Sequence, residues 1–225
     1  MTALEDLAGL ITRFDAGGEQ RSEHWAQLAV GEETNRPAAV LMLFGVLDDI
    51  PAESGRPIAP ADLDVLLLER AHTLDDHPGQ VAFPGGSVDP EDDSVVAAAL
   101  REAVEETGLD AGGVQVLGVI PELGLAHSNF RVTPVLAWWA SPSPVHVVDH
   151  GESAQVFRVP VRDLLDPDNR VTATITRFGR TFRSPGFTVN GVVVWGFTGM
   201  VLSGLFDELG WTVPWDEERL VEIDI

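Results

Sequence analysis

The sequence has no cysteine and no lysine. Without cysteine there is no disulfide framework and no thiol chemistry, which suits a reducing compartment without demanding one. Without lysine, all 14 basic residues other than histidine are arginine, set against 36 acidic ones, and the formal net charge is −22. A surplus of that sign repels nucleic-acid phosphates and anionic lipid, which argues against a nucleic-acid-binding or membrane-surface protein. No apolar run is long enough to span a bilayer, and the start, Met1-Thr2-Ala3-Leu4-Glu5-Asp6, lacks the basic residues of a secretion signal. The expectation is a soluble, cytoplasmic protein. Internal repeats and low-complexity tracts are also missing. The 225 residues, 44% of them hydrophobic, are enough for one large domain with its own core.

Leu4, Leu7, Leu10, Ile11 and Phe14 recur at helical spacing. They predict an amphipathic N-terminal helix ending near Gly17-Gly18, an extension over residues 1–20 whose role is packing or pairing with a second copy. The main domain is expected over residues 35–225. Strands are predicted at Ala38 to Leu47, Asp64 to Arg70, Val114 to Ile120, Val132 to Trp139 and Gln155 to Val159, with a Pro-containing loop from Pro51 to Pro60. A short helix is expected at Val161 to Leu165. Thr172 to Arg177 and Arg180 to Val189 predict a hairpin turning at Phe178-Gly179, and Phe197 to Leu209 a closing amphipathic helix.

The informative stretch is Asp93 to Gly108, which ends in Arg101-Glu102-Ala103-Val104-Glu105-Glu106-Thr107-Gly108. On a helix, Glu102 and Glu106 are one turn apart and Glu105 lies between them in angle, so three carboxylates share a narrow arc. Like charges at that spacing weaken a helix, and a divalent cation would relieve them; the plain alternative is a solvated acidic face. Before the helix come the buried strand Asp64 to Arg70, a polar loop His72 to Gln80, and Val81-Ala82-Phe83-Pro84-Gly85-Gly86. Gly85 and Gly86 let the backbone approach a ligand closely. Asp92 or Asp93 is expected to cap the helix, and Gly108 to end it.

Taken together, these residues resemble the Nudix hydrolases. Their signature is Gly, five residues, Glu, seven residues, then Arg-Glu-apolar-any-Glu-Glu-any-Gly-apolar. Arg101 to Leu109 match every fixed position of its second half. In the first half Ser87 stands in the Gly slot, with Gly86 one residue early, and Asp93 in the Glu slot, shifts that a one-residue insertion explains. The run Leu66-Leu67-Leu68-Glu69-Arg70, then Leu74, His77 and Gly79-Gln80-Val81-Ala82-Phe83-Pro84-Gly85-Gly86, is similar to the coenzyme A pyrophosphatase branch. Arg131 to Val135 and Val194 to Met200 extend the likeness, which covers most of the chain from about Ala38.

The resemblance implies a Nudix-type α/β/α sandwich with a mixed sheet. It implies Mg²⁺ or Mn²⁺ held by Glu102, Glu105 and Glu106, with the Gly86 carbonyl completing the shell. The cation also resolves how so acidic a chain binds an anion. Arg101 then orients a glutamate rather than touching substrate. The general base is Glu102 or, from a distant loop, Glu152, which otherwise reads as an exposed loop acid. Arg70, His77, Gln80, Gly85 and Gly86 are candidates for substrate contact; the plain readings are a surface arginine, a turn residue for His77 and a loop-closing hydrogen bond for Gln80. His127, His146 and His150 have no metal-ligand spacing. Asp75 and Asp76 depart from the branch, which often has a basic residue there for the 3′-phosphate of coenzyme A, and Arg158 stands where an acid is expected. The implied activity is cleavage of coenzyme A or acyl-coenzyme A into adenosine 3′,5′-bisphosphate and 4′-phosphopantetheine or its acyl form. The competing readings are hydrolysis of another nucleoside diphosphate derivative or nucleoside triphosphate, and a Nudix-fold module that senses a nucleotide without cleaving it. Three intact carboxylates argue against the last, and a homodimer through the N-terminal helix stays open.

Overall fold

The structure, a computed structural model, describes residues 2–19, 22–31, 35–48, 57–74, 77–125, 128–177 and 179–223. In chain order the elements are α1 (Ala3–Asp15), α2 (Glu23–Ala26), β1 (Arg36–Val46), β2 (Leu63–Arg70), β3 (Val81–Ala82), β4 (Gly85–Ser87), α3 (Val95–Thr107), β5 (Val114–Val119), β6 (Leu123–Leu125), β7 (Phe130–Trp139), β8 (Ser153–Pro160), α4 (Val161–Leu165), β9 (Arg170–Arg177), β10 (Arg180–Val189), β11 (Val192–Val194), α5 (Gly196–Leu209) and β12 (Leu220–Glu222).

The central sheet is mixed. β1 and β7 run parallel from Arg36 opposite Phe130 to Phe44 opposite Trp138, and β2, β4, β5, β6 and β8 add antiparallel pairings. Successive side chains of a strand point to opposite faces, so alternate residues of β1 and β7 feed two cores. Ala39, Leu41, Leu43, Val135, Ala137 and Trp139 pack against Ala98, Ala99 and Ala103 of α3. Met42, Phe44, Leu136 and Trp138 pack on the other face with α1, α5 and residues of a second sheet ordered β11-β10-β9-β12. The layers are therefore helix, mixed sheet, then helices with a small sheet.

One irregularity positions everything that follows. β1 pairs with β2 only where Phe44 to Val46 lie opposite Val65 to Leu63. Beyond that the two strands diverge; β1 pairs with β4 through Ala38 to Val40, and β2 with β3 through Leu68 and Glu69. The segment Val81 to Ser87 thus fills a fork in the sheet. Phe83 anchors it in the core, and the Pro84 carbonyl accepts from Leu41 N–H at 2.8 Å. A Cβ on Gly85 would overlap the carbonyl of Ala39, so glycine is needed for this approach.

The predicted long strands, the short helix and the hairpin are present, with ends shifted by a few residues; Phe178, at its turn, lies outside the described residues, as do residues 51–56 of the predicted loop. One expectation is corrected. The closing helix is not amphipathic: α5 is covered by the second sheet and α2, so Val201, Leu202, Ser203, Gly204, Leu205, Phe206 and Glu208 are all buried, and β12 follows it. Of the two roles expected for α1, packing is the one seen: Ala3, Leu7, Leu10 and Ile11 of its apolar stripe are buried within the same chain. Buried Glu208 fastens this region, accepting from Ser22 N–H at 2.9 Å and pairing with Arg13.

Trp25 is fully buried on α5, with Nε1 donating to the Val201 carbonyl at 3.1 Å and the ring against Gly204. Gly204→Ala adds about 1 kcal/mol of helix propensity. Its Cβ would overlap the Trp25 ring, which is held on every side, and overpacking of that kind costs about 1–3 kcal/mol. The net cost is about 0–2 kcal/mol, so the substitution should lower the melting temperature by up to about 8 °C; a rise on thermal unfolding would show that Trp25 can move.

Candidate functional site

The helix α3 starts at Ser94, whose side chain accepts from Ala97 N–H at 3.1 Å, and ends at Gly108 in the left-handed conformation. The cap is Ser94 and not Asp92 or Asp93, because Asp92 is otherwise engaged. A guanidinium has five N–H donors, and Arg101 uses all five within the chain. Nε and Nη2 donate to the two oxygens of Asp92 at 3.0 Å each, Nη1 to Glu102 at 3.0 Å and Glu105 at 3.2 Å, and Nη2 also to the Ser87 carbonyl at 3.2 Å. Nothing is left for a substrate, so Arg101 is a positioning residue. Its charge holds the Asp92 carboxyl below the usual range. Sequence reasoning put Asp93 in this slot. Asp93 is exposed, and Asp92 fits because its carboxylate also accepts from Asp89 N–H at 2.9 Å, which closes the turn before the helix.

The glycine segment meets α3 at two carboxylates. Gly85 N–H donates to Glu106 at 2.9 Å. The Glu102 carboxylate lies where a Gly86 side chain would be, its Oε1 being 2.5 Å from the position of a Cβ there. Both groups are pushed toward the neutral form by burial. For Glu102 the Arg101 hydrogen bond opposes this. Glu106 is raised to about 7, burial outweighing the Gly85 hydrogen bond, with the charge of Glu102 and, more weakly, Glu152 adding to the shift and Arg70 opposing it.

Those last two influences bring distant residues to the site. Arg70 ends β2 beside the start of β8, where its Cα partner is Ser153 and the Glu152 carbonyl accepts from Ala71 N–H at 2.8 Å. The chain reaches Glu152 by a loop tied to the end of α3, through His146 N–H to the Thr107 carbonyl at 2.9 Å and Ser141 N–H to the Gly113 carbonyl at 3.1 Å. Glu152 is exposed and its carboxylate makes no hydrogen bond among the described residues. The other candidates have main-chain or turn positions. Gln80 closes the loop, its carbonyl accepting from Arg70 N–H at 2.9 Å, and His77 is exposed in a turn with φ 55°. Asp75, Asp76 and His127 lie outside the described residues, while His146 and His150 are exposed. Arg158 belongs to a separate, partly buried ion pair at the other end of β2, with Asp64 at 2.6 Å and Asp48 at 3.0 Å.

The three glutamates share one side of α3 but do not converge: Glu102 faces Gly86, Glu106 faces Gly85, and Glu105 turns outward onto Arg101 with its side chain 58% exposed. Among the described residues no three Asp, Glu or His side chains are close enough to hold an ion as they stand. The donor set nevertheless fits a hard divalent cation: every donor is oxygen, and burial makes charge unfavourable on two of the carboxylates.

A family model described as the NUDIX domain matches residues 51–177. A protein from Yersinia pestis called uncharacterized Nudix hydrolase NudL is 34% identical over 203 residues, covering 90% of this chain and 94% of its own length. Its namesake from Cronobacter sakazakii is 38% identical over 146 residues, covering 65% and 75%. Among solved structures, the chain is similar to the Nudix hydrolase RenU from M. smegmatis, with 24% identity, 56% of this chain and 70% of that one covered, and a TM-score of 0.43. It is also similar to a C. elegans Ap4A hydrolase, with 22% identity, 57% and 83% coverage, and a TM-score of 0.42. With a family model that spans more than half of it and a relative matched along nearly all of it, the chain belongs to the Nudix hydrolases.

Proposed function

We propose that this Nudix hydrolase cleaves the pyrophosphate bond of coenzyme A or acyl-coenzyme A, giving adenosine 3′,5′-bisphosphate and 4′-phosphopantetheine or its acyl form. The observation that carries the reaction class is the close meeting of Glu102 and Glu106 with the backbone of Gly85 and Gly86. The substrate rests on the run from His77 to Gly86, similar to the coenzyme A pyrophosphatase branch, whose end from Val81 onward enters the fork between β1 and β2.

Mg²⁺ or Mn²⁺, when held by Glu102, Glu105, Glu106 and the Gly86 carbonyl, neutralises the diphosphate and acidifies a bound water. Arg101 keeps Glu102 and Glu105 oriented, which confines the reacting groups to one geometry. Arg70 faces the same carboxylates and attracts the substrate's negative charge. Glu152 takes the proton from the attacking water, a role Glu102 fills less well because Arg101 already holds its carboxylate. The water oxygen bonds to one phosphorus, the bridging P–O bond breaks, and the leaving phosphate carries away the electron pair.

Three outcomes are expected. Glu106→Gln keeps an acceptor for Gly85 N–H, so the fold should persist while Mg²⁺-dependent turnover is abolished; unchanged turnover would remove Glu106 from the site. Gly86→Ala should push the Glu102 carboxylate aside without unfolding the chain, weakening Mn²⁺ binding by about tenfold or more at an unchanged melting temperature. Metal affinity should also depend on pH. Because Glu106 in the ion-free chain is raised to about 7, a cation must displace its proton below that pH, so affinity falls as pH drops through 7 and levels off above it. Calorimetry in buffers of different ionisation heat should show proton release at pH 6 but little at pH 8, and neither in Glu106→Gln.

The substrate is tested with coenzyme A, acetyl-coenzyme A, 3′-dephospho-coenzyme A, NADH, ADP-ribose and nucleoside triphosphates, with Mg²⁺, Mn²⁺ or EDTA. Preferred hydrolysis of coenzyme A supports the assignment. Preference for another nucleotide overturns the substrate alone, and metal-dependent binding without turnover overturns the reaction.

A further inference from the structure

We infer that Arg131 is the specificity residue for an additional phosphate monoester on the nucleoside arm of the substrate, the group that distinguishes coenzyme A from its dephospho form. This rests on the coenzyme A pyrophosphatase reading of the site and gives Arg131, until now only part of a stretch that extends the family likeness, a role of its own. Alternation along β7 decides which way Arg131 faces. Val135, Ala137 and Trp139 lie on the α3 side of the sheet, and Leu136 and Trp138 on the other. The register with β1 is unbroken from Phe130 to Trp138, so Thr133 and Arg131 share the α3 side with Glu102 and Glu106.

The register also gives its distance. Gly86 on β4 is opposite Ala39, Ala39 is opposite Thr133, and Arg131 is the next residue along the same face of β7. At about 4.8 Å between strands and 3.3 Å per residue, the Cα atoms of Gly86 and Arg131 are about 12 Å apart. The carboxylates therefore have an arginine on each flank: Arg70 at the end of β2, whose charge reaches Glu106, and Arg131 across the sheet on β7. A diphosphate held at the glutamates has two organic arms, and Arg131 is within reach of one that runs along this face toward the start of β7.

The state of Arg131 fits that task. Its side chain is 40% exposed, and its partner is Glu122, 3.3 Å from Nε and itself 48% exposed. Among the described residues Nη1 and Nη2 make no hydrogen bond, so the outer donor pair is intact. Arg101, by contrast, has no free donor, and Arg158 is committed to Asp48, Asp64 and the Val46 carbonyl. A planar guanidinium binds a phosphate dianion through two parallel hydrogen bonds, which an exposed pair with a single carboxylate does not match. Glu122 holds the side chain in place when the phosphate is missing, and a substrate lacking that phosphate gains nothing from Arg131.

The test is calorimetric binding of adenosine 3′,5′-bisphosphate and of AMP to the full chain with Mg²⁺, for the parent, Arg131→Gln and Arg131→Lys, alongside hydrolysis of coenzyme A and 3′-dephospho-coenzyme A. The parent should bind the bisphosphate about tenfold or more tightly than AMP, the difference expected for charge-assisted hydrogen bonds. Arg131→Gln should erase that preference without changing AMP affinity, and raise KM for coenzyme A only. Arg131→Lys, which keeps the charge but loses the fork, should retain part of it. The proposal is overturned if the parent shows no preference, if the preference survives in Arg131→Gln, or if that variant weakens both ligands equally. An Arg131-dependent preference with neither coenzyme hydrolysed would leave this phosphate site standing and overturn the pyrophosphatase reading instead. Equal hydrolysis of both coenzymes, untouched by Arg131→Gln, would do the reverse.

Discussion

The site depends on how closely a glycine backbone can approach its neighbours. Where β1 and β2 separate, Val81 to Ser87 enters the fork with one side against β1 and the other against α3. Any side chain at Gly85 would collide with the Ala39 carbonyl, and one at Gly86 would displace the Glu102 carboxylate. Since α3 rests on the sheet through Ala98, Ala99 and Ala103, small residues there bring its carboxylates within hydrogen-bonding distance of that backbone. Replacing the alanines with larger residues would lift the helix and separate Glu106 from Gly85.

Charge is organised around the same approach. The chain is strongly acidic, yet Glu102 and Glu106 of α3 are not simply part of an acidic surface. Arg101 collects Asp92, Glu102, Glu105 and the Ser87 carbonyl, so one cation orients the helix and the loop before it. Glu106 is left outside that network and, buried beside Glu102, is the carboxylate least comfortable with its charge. Such an imbalance between neighbouring acids is typical of sites that handle protons or cations.

The opposite layer serves the site by holding the sheet from behind. α1, α2 and α5 pack together there, with Trp25 on Gly204 and Arg13 on Glu208. Arg170, fully buried between Phe187 and Trp215 with a hydrogen bond to Ser203 at 2.9 Å, fastens the C-terminal segment to the second sheet. Both ends of the described chain are thus built into one body behind the sheet, on the side away from the fork and α3.

Much of this was legible in the sequence because the signals are local. Period-two and period-3.6 hydrophobic patterns predict the long strands, α1 and α3, and the spacing of Glu102, Glu105 and Glu106 is enough to place them on one side of a helix. Elements of two to four residues, such as β3, β4 and α2, carry too few residues for a period and were not legible. α5 misled for a related reason: amphipathicity describes a helix with one wet face, and the second sheet that covers its other side is assembled from residues far along the chain. The same applies to partners. From spacing alone Asp93 takes the slot that Asp92 fills, and Arg158 stands in an unexplained position until Asp64 is seen beside it. By itself the sequence determined the family, the helix that carries the carboxylates and the glycines that must face them. Only the tertiary structure decided which acid holds Arg101, where Arg70, Arg131 and Glu152 stand around the glutamates, and which groups are buried enough to shift, because those depend on contacts between segments that only long-range packing brings together.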